Sequence, residues 1–247
     1  KNTMPPTINF NFPNEKIDFF NSPIYVNKYS HEWERIGDKK ILCGISSFGF
    51  SGTNSHVVIE ENIQDTADEN YDMKVNLLVL SAETPKSLMR LIESYNDFVN
   101  EMYEMINIMN LCYTAATGRE HHTKRLAILF EGLDDLKHKL TLILNNEDIV
   151  GKDIYFGEYK LVSSEHTNKS MGKISIEQQL ENGQKAEKLL QKILNEKHTN
   201  RENIQNIAKL FISGADIKWQ KYYSLTNAET ISIPRYCFEK YRCWFSL

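Results

Sequence analysis

Gly44-Ile45-Ser46-Ser47-Phe48-Gly49-Phe50-Ser51-Gly52-Thr53-Asn54-Ser55-His56-Val57-Val58-Ile59 is a glycine-punctuated loop held between two apolar runs. Lys40 to Ile45 and Ser55 to Glu60 are short and rich in β-branched residues, which predicts a strand, a tight loop and a second strand. Val57, Val58 and Ile59 are consecutive, so the second strand is apolar on both faces and expects cover on both, as inside a layered α/β structure. Glycines in such a loop permit positive φ and close approach of a backbone or ligand. Spacing alone also fits a plain hairpin with a wide turn.

Downstream, Glu60 to Lys74 carries six carboxylates (Glu60, Glu61, Asp65, Asp68, Glu69 and Asp72) with no apolar period, and reads as a solvated linker. Met73 to Gly151 then reads as an α/β unit. Val75 to Leu80 is a continuous apolar strand, followed by Thr84 as helix N-cap and Pro85 at the first helical position. Leu88, Leu91, Ile92, Tyr95, Phe98, Val99 and Met102 recur at intervals of three and four and form one buried stripe. A second helix is predicted over 108–117, stopping at Gly118, then a strand over 125–130 and a helix over 133–144 with Leu133, Leu136, Leu140 and Ile143 on one side. This order predicts an α/β (α+β) fold, a small sheet covered by helices on one face. Asp153 to Val162 fits an edge strand, and Lys160 to Lys173 a polar loop suited to a hinge. Ile176 to Lys197 reads as a charged helix, and Asn200 caps another that ends at Gly214.

Composition narrows the function. The chain has 247 residues, 41% apolar and 25% charged, enough to bury a core in one or two domains. The net charge of −4 comes without a long basic block, which argues against nucleic acid as a partner. No window approaches the ~18 consecutive apolar residues of a membrane span. Four cysteines at irregular spacing form neither a disulfide framework nor a zinc pattern and favour a reducing cytoplasm. His121 and His122 are adjacent and point to different faces, so the pair makes a poor metal site, and neither a metal nor a cofactor is expected.

The residue order of the opening loop resembles the C-terminal end of the ketosynthase domain of modular polyketide synthases, where a Gly-Val-Ser-Ser-Phe-Gly-Phe-Gly-Gly-Thr-Asn-Ala-His-Val-Val-Leu-Glu type sequence closes a thiolase fold. Ser51 and Ser55 depart from that pattern. Lys1 to Phe10, Pro13 to Phe19 and Asn21 to Asn27 resemble the segment before the same loop. The resemblance implies a nucleophilic cysteine in a Thr-Ala-Cys-Ser-Ser type context and two histidines in His-Gly-Thr-Gly-Thr and Asn-Ile-Gly-His contexts. None of the three contexts occurs here, and Cys43, Cys112, Cys237 and Cys243 lack the small flanks of a nucleophile elbow. No catalytic residue is therefore assigned. The resemblance makes Phe48, Gly49, Phe50, Gly52 and Asn54 the remnant of a substrate-tunnel wall, with His56 structural. Because Lys1 enters directly into a proline-bounded extended segment, the chain reads as a piece of a longer polypeptide.

Leu78 to Leu88, Leu111 to His122 and Arg125 to Ile128 resemble the linker between ketosynthase and acyltransferase, in which Gly118 to His122 would tie the adaptor to its neighbour. Ala208 to Trp219 and Ile231 to Trp244 resemble the post-acyltransferase linker, with Cys237 where that family usually has proline. Only about 55 residues separate the two, too few for an acyltransferase, and no Gly-x-Ser-x-Gly elbow is present. The arrangement resembles the synthases served by a trans-acting acyltransferase.

The resemblance divides the chain into a ketosynthase end (1–60), an acidic linker (61–74), a linker or docking domain (75–230) and a tail (231–247). It implies a non-catalytic structural adaptor whose partners are the parent ketosynthase, adjacent synthase domains, a trans-acting malonyl acyltransferase and an acyl carrier protein. The aromatic residues Tyr236, Phe238, Tyr241, Trp244 and Phe245 would wrap back over the adaptor and the ketosynthase or meet a partner. Two other readings stay open: part of an active ketosynthase completed by a missing N-terminal portion, and a phosphate-binding loop, the latter disfavoured because the loop leads into a strand and not a helix N-terminus.

Overall fold

The computed structural model describes residues 3–61, 74–162, 172–196 and 200–244. The chain divides into two compact units, Lys1–Asp65 and Thr66–Leu247.

In the first unit, β1 (Thr3–Met4) pairs antiparallel with β2 (His31–Glu32), and β3 (Leu42–Phe48) pairs antiparallel with β4 (Asn54–Glu60) in register from Leu42 opposite Glu60 to Phe48 opposite Asn54. The glycine loop is thus the connection of a hairpin. Its open end is held by Arg35, whose Nε and Nη2 donate to the two carboxylate oxygens of Glu61 at 2.9 and 2.6 Å, while the same carboxylate accepts the Ile41 N–H at 3.2 Å. Such a two-pronged contact fixes the angle of both side chains as well as their distance. Val57, Val58 and Ile59, which read as interior, are exposed within this chain, Val58 at 64%.

The second unit is built on a three-stranded antiparallel sheet in the order β5 (Asn76–Ala82), β6 (Lys124–Phe130), β7 (Ile154–Glu158). The small sheet with helical cover is present, and its burial extends to both faces. All seven residues of β5 and six of the seven of β6 are buried, and successive side chains in a strand point to opposite faces. Both strands therefore read as unbroken apolar runs, Leu77 to Leu80 and Leu126 to Phe130.

Helix α1 (Pro85–Glu101) starts where Thr84 accepts the Ser87 N–H at 3.1 Å with proline in the first turn, and it buries Leu88, Leu91, Ile92, Tyr95 and Val99. Helix α2 (Ile108–Thr117) is capped by Asn107 and stops at Gly118, and α3 (Leu133–Leu144) packs beside α1. The two-residue strands β8 (Lys160–Leu161) and β9 (Lys173–Ile174) pair parallel, and most of the polar loop between them lies outside the described residues. Helix α4 (Ile176–Glu196) lies on α5 (Arg201–Ile212), which is capped by Asn200. The short α6 (Trp219–Tyr222) completes the core with Trp219 and Tyr222.

Helix α5 crosses the sheet very close. A Cβ on Gly157 of β7 would lie 2.3 Å from the Ile212 carbonyl oxygen, so the approach exists only because residue 157 has no side chain. Arg125, opposite Gly157 in β6, occupies the same face. Its guanidinium is buried and donates to the carbonyls of His122 at 2.9 Å, Phe211 at 2.7 Å and Ala215 at 2.8 Å, and to the Tyr159 hydroxyl at 3.2 Å. The Phe211 and Tyr159 rings lie 4.5 and 4.8 Å from it. This one side chain collects the end of α5, the exit from α2 and the end of the sheet. Among the described residues no helix is long and apolar enough to cross a membrane.

Candidate functional site

The most developed surface feature lies where the C-terminal segment returns to the corner formed by β5, α1 and the exit of α2. Helix α2 ends with Gly118 donating to the Thr114 carbonyl at 2.9 Å, and a Cβ at 118 would sit 2.9 Å from that same oxygen. The next residue, Arg119, donates to the carbonyls of Gly118 at 2.7 Å and of Ile233 and Pro234 at 3.2 Å each. A guanidinium suits this position because its fork reaches successive carbonyls of an extended chain.

The rest of the strap is held by short polar side chains. The Glu229 N–H donates to Asn110 Oδ1 at 2.8 Å, and the Ile231 N–H to Thr114 Oγ1 at 3.0 Å, while that hydroxyl donates to Asn110 O at 2.7 Å. The Glu83 N–H donates to the Tyr236 hydroxyl at 3.1 Å, Ser94 Oγ lies 3.5 Å from Cys237 Sγ, and Thr84 Oγ1 donates to Glu239. The Thr84 and Tyr241 hydroxyls hold the Glu239 carboxyl below the usual carboxylate range. The Glu83, Glu229 and Ile231 contacts each satisfy a backbone N–H.

His121 and His122 part company here. Burial of the His121 ring lowers its pKa, so it is neutral and its Nε2 hydrogen bonds the Ala116 carbonyl at 2.8 Å, with Phe211 edge-on at 5.1 Å. His122 lies against Tyr236 at 5.0 Å. Among the described residues no group of three metal-ligating side chains converges. Between strap and sheet is a cleft of about 230 Å3 lined by Val79, Tyr95, Arg119, His122, Tyr236 and Phe238. Its walls are largely apolar, and Ser81, Arg119, Glu120, His121 and His122 supply polar groups along one side, where His122 Nδ1 lies 3.6 Å from Glu83 Oε2.

Of the tail aromatics, Tyr236 is packed, whereas Phe238, Tyr241 and Trp244 are 75%, 76% and 82% exposed. Phe245 lies outside the described residues. The hairpin residues belong to the other unit. Gly49 donates to the Thr53 carbonyl at 2.7 Å, a Cβ on it would meet that oxygen at 2.7 Å, and Gly52 has φ +92°, so both glycines are required by the turn itself. Phe48 and Phe50 are exposed, Asn54 pairs with Phe48 at the strand end, and His56 Nδ1 lies 2.8 Å from Ser46 Oγ across the hairpin. Among the cysteines, Cys112 is fully buried and burial pushes its thiol far up, so it stays protonated.

Sequence reasoning singled out the Gly118 to His122 run but not Asn110, Thr114 or Arg125. Asn110 and Thr114 look like ordinary helix-surface residues, and nothing local marks them as anchors for a segment more than a hundred positions away.

The family described as the ketoacyl-synthetase C-terminal extension matches residues 13–128. The chain is 32% identical over 246 residues to the polyketide synthase PksL of Bacillus subtilis (strain 168), covering 98% of this chain and 5% of that protein. It is 28% identical over 243 residues to PksN of the same organism, covering 94% of this chain and 4% of that protein. The chain thus spans about a twentieth of the length of these relatives. Among solved structures it is similar to the ketosynthase from module 6 of the bacillaene synthase from Bacillus subtilis 168, with a TM-score of 0.53 and 32% identity, covering 98% of this chain and 38% of that one. A ketosynthase from bacillaene polyketide synthase of Bacillus amyloliquefaciens gives a TM-score of 0.51 at 25% identity, covering 98% and 36%.

Proposed function

Because this chain belongs to the ketosynthase C-terminal region of the polyketide synthases, we propose that it serves as a non-catalytic structural adaptor that flanks the ketosynthase and docks a trans-acting acyltransferase. The observation that carries this reading is the strap. Residues 229–239 are pinned along α1 and α2 through Asn110, Thr114, Arg119, Glu83 and Thr84, so the chain returns to the β5–α1 junction, the far end of the strand by which it enters at Asn76. A connector whose entry and return are fixed at the two ends of one buried strand transmits a fixed spacing to whatever precedes and follows it.

Three features support the reading. The hairpin exposes apolar residues on both faces, as expected of terminal strands that complete a larger body. The buried Cys112 thiol is protonated and inaccessible. Phe238, Tyr241 and Trp244 present exposed aromatic area of the kind that anchors protein contacts. On this reading residues 1–60 are the ketosynthase end, 61–74 the linker, 75–230 the adaptor and 231–247 the tail, and neighbouring synthase domains are its partners. Titrating the chain with a discrete malonyl acyltransferase by calorimetry tests the docking part. Saturable heat that Trp244→Ala weakens is expected, and silence at high micromolar concentration removes docking and leaves the spacer role alone.

A further inference from the structure

A different surface, independent of the strap and the tail, sets apolar side chains between cationic ones. Helix α4 places Lys185, Lys188 and Lys192 at intervals of three and four residues, on one face, and α5 brings Lys209 and Ser213 to the opposite rim of a groove of about 560 Å3 floored by Leu189 and Leu210. All four lysines are exposed. Lys185 pairs with Glu181 at 2.8 Å, whereas Lys188 and Lys209 make no ion pair with a described residue. The two leucines are half-buried against the core, which leaves an apolar floor between two cationic rims. In a chain with net charge −4 this is a local reversal of sign.

We propose that the α4–α5 groove docks an acidic amphipathic helix of a partner protein. Such a helix lays apolar residues spaced three and four apart along Leu189 and Leu210 and sets carboxylates on both flanks, against Lys185, Lys188 and Lys192 on one side and Lys209 on the other. Charge complementarity excludes the competing occupants. A second copy in a two-fold contact would bring lysine against lysine. A nucleic acid strand would leave the leucine floor unused, and the groove offers neither arginine forks nor aromatic stacking. A lipid surface needs a protruding apolar ridge, and here the leucines are recessed between charges.

The test uses the full chain and a fluorescein-labelled synthetic peptide of about 18 residues, long enough to hold a helix, with leucines on one face and glutamates beside them. A peptide of identical composition in scrambled order is the control, and binding is read by fluorescence polarisation. The ordered peptide is expected to bind at least about tenfold more tightly than the scrambled one and to weaken by about tenfold or more in the Lys188→Glu/Lys209→Glu double variant. Raising the salt from about 50 mM to about 300 mM should weaken it further, while Lys152→Glu, outside the groove, should change nothing. Circular dichroism confirms that each variant is folded. Equal binding of the two peptides, or no response to the double reversal, overturns the proposal. Concentration-dependent dimerisation abolished by the same reversal overturns it in favour of self-association.

Discussion

Replacing Arg125 by methionine keeps most of the buried stem and removes the guanidinium on which three segments converge. Four hydrogen bonds are lost, to the carbonyls of His122, Phe211 and Ala215 and to the Tyr159 hydroxyl. The Phe211 carbonyl still accepts from the Gly214 N–H at 3.0 Å, so its loss is partial. The carbonyls of His122 and Ala215 lose their donor, and a buried acceptor left unpaired costs about 1–3 kcal/mol. The variant no longer buries a cation, whose desolvation lowers the Arg125 pKa in the parent, and that relief offsets part of the loss. The net destabilisation is about 3 kcal/mol, or about 6–12 °C in Tm for a unit of this size. Arg125→Lys keeps the charge but cannot reach three separated carbonyls, so it should recover only part of the difference. Urea unfolding followed by circular dichroism and by fluorescence of the buried Trp219 measures this, because Trp219 lies 5.6 Å from Phe211 and senses the same corner. An Arg125→Met variant within about 0.5 kcal/mol of the parent would refute the view that this side chain ties the sheet to α5.

Arg119→Ala removes the donors to Ile233 and Pro234 and should weaken strap attachment by about 1 kcal/mol, seen as about fivefold faster amide exchange across residues 233–239 with α1 unchanged. Gly157→Ala drives a methyl into the Ile212 backbone, 2.3 Å from its carbonyl oxygen, and should cost about 1–3 kcal/mol in a thermal melt; an unaffected melt would mean α5 is not seated there. For Asp153, burial raises the pKa, but hydrogen bonds from Arg201, Gln205 and Tyr155 outweigh it and the net shift is downward. A carboxyl depressed in the folded state contributes stability that is full above its unfolded value of 3.8 and is lost as pH falls through the folded value. Asp153→Asn, tolerated at this φ of +58°, should therefore be less stable by about 1 kcal/mol at neutral pH and approach the parent as the pH falls through the depressed folded value.

The elements whose signals are local were legible in the chain. Thr84-Pro85 and Asn200 announce helix starts by cap chemistry, and the three-and-four spacing through Leu88 to Val99 and Leu136 to Ile143 sets the buried faces. The elements that arise only from tertiary contact were not. The pairings of Thr3–Met4 with His31–Glu32 and of Lys160–Leu161 with Lys173–Ile174 involve two residues each and carry no period. The four-residue α6 is too short to show one. Arg125 looked like the polar start of an apolar strand, because the carbonyls it serves come from residues 211 and 215. Val57 to Ile59 showed that the hairpin needs cover without showing where the cover comes from. At the strap, the sequence drew attention to aromatic rings, whereas the hydrogen bonds that anchor it come from Arg119, Thr114, Asn110 and Tyr236.

The proposed adaptor role is tested most directly by incubating the chain with an acyl-pantetheine thioester and weighing the intact protein by mass spectrometry. No mass gain is expected, with Cys112 sealed in the core and the thiols of Cys43, Cys237 and Cys243 donating to the carbonyls of Gly44, Arg235 and Tyr241. A stable acyl adduct mapped to any of the four cysteines would contradict it.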